Sequence, residues 1–104
     1  MFFARFKDAN GAEHAELYYG HYGWDQYYRN TFNPLTETIN FVEFKISGRD
    51  YKSRKSSLEN IAIEWSYCDS SGLYMSEYIA ITEWFYRNGK RYGLLTDFRE
   101  NAIC

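Results

Sequence analysis

A chain of 104 residues with a formal charge of -2 has the size of one domain, able to bury roughly 60–65% of its unfolded surface without staples. The near-neutral charge argues against a generally basic nucleic-acid coat and against an acidic DNA mimic acting by charge alone. No apolar run approaches the ~18 residues of a membrane span, and MFFARFKDANG lacks the apolar length and cleavage pattern of a signal peptide, so the expectation is a cytoplasmic protein with no membrane partner.

Residues 1–7, MFFARFK, read as a short strand. The turn signal DANG, residues 8–11, leads into a second strand, AEHAELYY, and together they predict a hairpin. His14 and His21, with Glu13, Glu16 and Asp25 nearby, are metal-ligand types, but their spacing fits no metal-binding pattern. The expectation is two ordinary surface or hydrogen-bonded histidines, with no metal and no cofactor.

The stretch LYYGHYGWDQYYRN, residues 17–30, holds five tyrosines and a tryptophan. Gly20 and Gly23 interrupt any regular element, GWDQYYRN allows one or two helical turns, and Asn33-Pro34 forces an extended exit. Rings on so broken a backbone point in several directions and cannot all enter one core. Tyr, Trp and Arg bring contact area, hydrogen bonds and little entropy loss to interfaces. Tyr22, Trp24, Tyr27, Tyr28 and Arg29 therefore form a candidate protein-contact patch. The competing reading anchors them at the core rim, because Tyr (11), Phe (8) and Trp (3) outnumber Leu, Ile and Val and must do much of the packing.

ETINFVEFKIS, residues 37–47, predicts a strand with Val42, Phe44 and Ile46 on one face and Phe41, Glu43 and Lys45 on the other. Glu43-Phe44-Lys45 resembles the ExK tripeptide of PD-(D/E)xK nucleases, over three residues only. That resemblance implies a metal-dependent nuclease, and neither Glu37 nor Asp25 supplies the further carboxylate convincingly. Leu58, Ile61, Ala62 and Trp65 recur at helical spacing behind Asp50, predicting an amphipathic helix over about 51–66 with Asp50 as its cap, against a competing strand reading in which Ile61, Ile63, Trp65 and Tyr67 alternate.

YIAITEWFYR and KRYGLLTDF flank Asn88-Gly89, a type I′ turn signal, and predict an antiparallel hairpin over about 77–98. The whole reads as one α+β domain, 1–104, of two layers: a mostly antiparallel sheet of four or five strands under one main helix. Cys68 and Cys104 lie outside any CxxC spacing and read as reduced thiols. No nucleophile elbow or phosphate loop is present.

Function is then a choice between binding modes. A small non-enzymatic protein-binding module, an inhibitor or adaptor with an aromatic surface, is the first expectation, and its partner is a protein or a protein–nucleic acid complex. Phage- or plasmid-encoded antagonists of host defence, of the anti-CRISPR or anti-restriction type, are a concrete class of such proteins. The alternative is a nucleic-acid binder that uses two basic islands, Lys45, Arg49, Lys52, Arg54 and Lys55, then Arg87, Lys90 and Arg91, with tyrosines beside them. An exposed hairpin edge would also permit a homodimer.

Overall fold

The computed structural model describes residues 1–8, 10–18 and 37–104. The chain divides into two compact units, one of residues 1–44 with 69–73, the other of residues 45–68 with 74–104. Among the described residues, the strands lie in the first unit and the helices in the second. The α+β class holds: among the described residues there are a three-stranded antiparallel sheet and three helices, so a fourth or fifth strand is not found among them and the one expected main helix is joined by two more.

Strand β1 (Phe2–Lys7) lies between β2 (Glu13–Tyr18) and β3 (Glu37–Glu43), antiparallel to both. As the central strand it is buried on both faces, which its composition permits: Phe2, Ala4 and Phe6 point one way, and Phe3 the other. Tyr18 stacks on Phe2 at 4.9 Å between ring centroids and His14 on Phe6 at 5.1 Å, both across the β1–β2 pair. The predicted hairpin is present. Asp8 organises its turn, accepting hydrogen bonds from the backbone N–H groups of Asn10 and Ala12 at 2.9 and 3.0 Å. Gly11 supplies a left-handed φ of 80° there.

On the other side, the β1–β3 register skips Ile39, giving a bulge opposite Arg5 and Phe6. Val42 and Phe44 are buried and Phe41 and Glu43 exposed, as the alternation predicts, although β3 ends at Glu43. Arg5 ties residues 69–71 to this sheet. Its Nη1 donates to the Ser71 carbonyl at 2.8 Å, and Nη2 lies 2.9 Å from Glu13 and 3.5 Å from Asp69.

In the second unit, helix α1 (Tyr51–Ser66) starts and stops where the periodicity places it, and Leu58, Ile61, Ala62 and Trp65 are its buried residues. Asp50 caps it, its Oδ1 accepting from the Ser53 N–H at 2.7 Å. The expected C-terminal hairpin is replaced by helices α2 (Met75–Arg91) and α3 (Leu95–Glu100).

The reason for that correction lies in the same residues. Ile81, Phe85 and Gly89 fall on one helical stripe and are the buried residues of α2. At its start, the Glu77 carboxylate accepts from the Tyr74 N–H at 3.0 Å, and Lys90 and Arg91 suit the negative end of the helix dipole. Gly89 is therefore a packing residue: a Cβ built there would lie 2.7 Å from the Phe98 ring. The glycine that stops the helix is Gly93, at φ 69°, after which the Leu94 N–H reaches back to the Gly89 carbonyl at 2.8 Å. Phe98 of α3 then meets Phe85 edge to face at 5.6 Å, closing this core. Among the described residues, no helix is long and apolar enough to cross a membrane.

Candidate functional site

The second unit brings the two basic islands together. The Arg54 Nε on α1 donates to the Tyr92 hydroxyl at 2.7 Å, across 38 positions of sequence. The Arg91 guanidinium lies over the Tyr92 ring, 5.6 Å from its centroid. Tyr51, at the first position of α1, tilts against the same ring at 5.5 Å and remains 57% exposed. Tyr92 is itself buried, so its hydroxyl has left water and holds the Arg54 guanidinium in place.

Helical spacing adds the neighbours. Arg54 and Lys55 stand three and four residues after Tyr51 and share its side of α1, and Arg87 and Lys90 precede Arg91 within one turn of α2. Lys45, Arg49, Lys52, Arg87, Lys90 and Arg91 are exposed, and Arg54 and Lys55 half-buried. Among the described residues, none of these eight cations lies within ion-pair distance of a carboxylate.

An open groove of about 640 Å³ runs along α1, lined by Ser47, Ser53, Ser56, Ser57 and Asn60 with Lys52 and Glu64. The Ser57 hydroxyl accepts from the Ser47 N–H at 3.1 Å, which holds the segment before α1 against the helix and forms one wall. The groove thus offers hydroxyls and an amide together with one charge of each sign.

A second surface is apolar. The stripe Met75, Ile79, Thr82 and Tyr86 follows helical spacing on α2 beside its buried face, with Tyr74 and Tyr78 adjoining. Tyr74 and Met75 are 77% and 74% exposed, and Tyr78, Ile79 and Tyr86 are exposed too.

Tyr22, Trp24, Tyr27, Tyr28 and Arg29, and the helical turns expected around them, lie outside the described residues, as does His21. Tyr18 is described and packs at the core rim. His14 is engaged with Asp8, Nε2 to Oδ2 at 2.8 Å. That bond is the largest cause holding the Asp8 carboxyl below its usual range, ahead of the backbone N–H of Ala12.

Glu43 and Lys45, the ExK residues, are both exposed. Among the described residues no group of three or more His, Cys, Asp or Glu side chains is placed to hold a metal. Cys68 is a free thiol that donates to the Glu64 carbonyl at 3.3 Å, and burial, then the Glu64 charge, pushes its pKa up to about 11. A thiol so strongly protonated is a poor nucleophile.

The chain matches no family model, no curated protein and no solved structure. Its function is therefore read from the arrangement of its own residues. Sequence reasoning finds both basic islands and misses the α2 stripe, because alternation places Tyr78, Ile79 and Tyr86 on a strand. Helical spacing of Met75, Ile79, Thr82 and Tyr86 is the signal that marks it.

Proposed function

We propose that this protein is a non-enzymatic binding module that acts as an inhibitor or adaptor by gripping another protein. The observation that carries this reading is the exposed stripe of α2. The buried face of that helix is already supplied by Ile81, Phe85 and Gly89, yet Tyr74, Met75, Tyr78, Ile79 and Tyr86 stay in contact with water beside it. Aromatic residues and Met are the types enriched at protein interfaces, and Met adapts its shape to irregular partners. Clustered apolar side chains on one surface mark a contact site more often than scattered ones do.

Tyr22, Trp24, Tyr27, Tyr28 and Arg29 belong to the same reading as further contact residues. Antagonists of host defence carried by phages or plasmids, of the anti-CRISPR or anti-restriction type, are the class of activity this reading favours.

The test is capture from host-cell lysate, with and without nuclease, by the wild-type chain and by an Ile79→Ser, Tyr86→Ser variant. The expected result is a stoichiometric protein that survives nuclease on the wild type and is lost from the variant, whose circular dichroism is unchanged. Equal capture by both chains would sink the assignment to α2.

A further inference from the structure

We infer that the two basic islands, joined at Tyr92, form a face that binds single-stranded nucleic acid, with phosphates on the cations and a base on the exposed ring of Tyr51. The inference goes beyond the protein-contact reading and does not rest on it, since it uses Tyr51 and the basic residues rather than the α2 stripe.

Three observations carry it. The first is convergence: Arg54 and Arg91, 37 positions apart by their numbers, both engage Tyr92, one through its hydroxyl at 2.7 Å and the other over its ring at 5.6 Å. The second is uncompensated charge. Among the described residues, no carboxylate pairs with Lys52, Arg54, Lys55, Arg87, Lys90 or Arg91, in a chain whose net charge is -2.

A third observation selects the ligand. Tyr51 is an aromatic ring 57% exposed in the middle of this charge, steadied by Tyr92 at 5.5 Å and flanked by Arg54 and Lys55. A polyanion such as heparin would need the cations alone. An unpaired base stacks on such a ring, whereas a base inside a duplex presents no free face.

Arg54 is a positioned residue in this face. Its Nε is committed to Tyr92, which fixes the plane of the guanidinium and leaves the terminal nitrogens for a phosphate. Pre-orientation of this kind reduces the ordering cost of binding.

The experiment is fluorescence anisotropy of labelled oligothymidylate and oligouridylate against the full chain over a salt series, with a duplex of the same length as comparison. For roughly four neutralised phosphates, the logarithm of affinity should fall with that of salt at a slope of about -3. Combining Lys52→Glu, Lys55→Glu and Lys90→Glu should lower affinity by more than about tenfold and flatten the slope by about 0.7 for each phosphate no longer neutralised.

Tyr51→Ala should weaken binding about tenfold without changing the slope, the range expected of one stacked base. Tyr51→Phe should keep wild-type affinity, which separates stacking from any effect of the first variant on folding. Binding of either oligomer supports the inference, and the ratio of the two affinities assigns DNA or RNA. Failure to bind both at low salt, an unchanged triple variant, or equal affinity for duplex and single strand overturns it.

Discussion

At Cys68 a thiol sits half-buried at the end of α1, donating to the Glu64 carbonyl and facing the Glu64 charge, with its pKa raised to about 11. Only the thiolate reacts with alkylating agents, and its fraction falls tenfold for each pH unit below the pKa. At pH 8, Cys68 should therefore label with iodoacetamide about 100-fold more slowly than a thiol at the ordinary value of 9.0. Cys104 is also raised by burial and opposed by the Arg99 charge. Peptide mapping after a short exposure checks this. Labelling of Cys68 at the rate of a free cysteine would show that neither burial nor the Glu64 charge holds its proton.

At the level of elements, α1 and the β1–β2 hairpin are legible because each carries a clear boundary signal, Asp50 for the helix and DANG for the turn, which decides for helix in α1 although Ile61, Ile63, Trp65 and Tyr67 also alternate. Residues 77–92 carry both periods. Ile79 and Ile81, and Trp84 and Tyr86, stand two apart as in a strand, while Ile81 and Phe85 are four apart as in a helix. Asn88-Gly89 favours a hairpin, whereas Glu77 at the start and Gly93 at the end enclose a helix. Tertiary packing then explains Gly89.

Gly89→Ala is the corresponding test. In an exposed helix the change should stabilise by up to about 1 kcal/mol. Here the new methyl meets the Phe98 ring at 2.7 Å, so overpacking wins and the variant should lose about 1–3 kcal/mol in urea unfolding. Adding Phe98→Leu should recover part of that loss, because the ring carbons that clash are removed. A Gly89→Ala variant as stable as the wild type would mean that α2 and α3 do not pack through this position. The candidate site was only half legible for a related reason: both basic islands stand out in the sequence, but their meeting at Tyr92 depends on a hydrogen bond spanning 38 positions that local patterning does not encode.

At the scale of the whole molecule, three aspartates among the described residues, Asp8, Asp50 and Asp69, hold turns and a helix end by accepting backbone hydrogen bonds, and both units contain such groups. Asp8 is depressed first by His14 and then by the Ala12 N–H, Asp69 first by the Ser71 N–H, and Asp50 first by the Ser53 N–H. Each folded pKa lies below the ordinary value of 3.8. The unfolded chain therefore takes up protons at these groups before the folded chain does, and stability rises with pH through that interval. The contribution is present in full above the unfolded value and is lost as pH falls through the folded ones. Protonation of the remaining carboxylates leaves the basic islands unbalanced, and self-repulsion adds to the loss. The urea midpoint should consequently hold steady from pH 7 to about pH 5 and fall below pH 4. Asp50→Asn keeps a side-chain oxygen at the cap and removes its titration, so its acid limb should be shallower than the wild type's. A midpoint that stays level down to pH 3 would show that these hydrogen bonds do not distinguish the folded carboxylates from the unfolded ones, and the turn at Asp8 and the cap at Asp50 would then owe their order to packing alone.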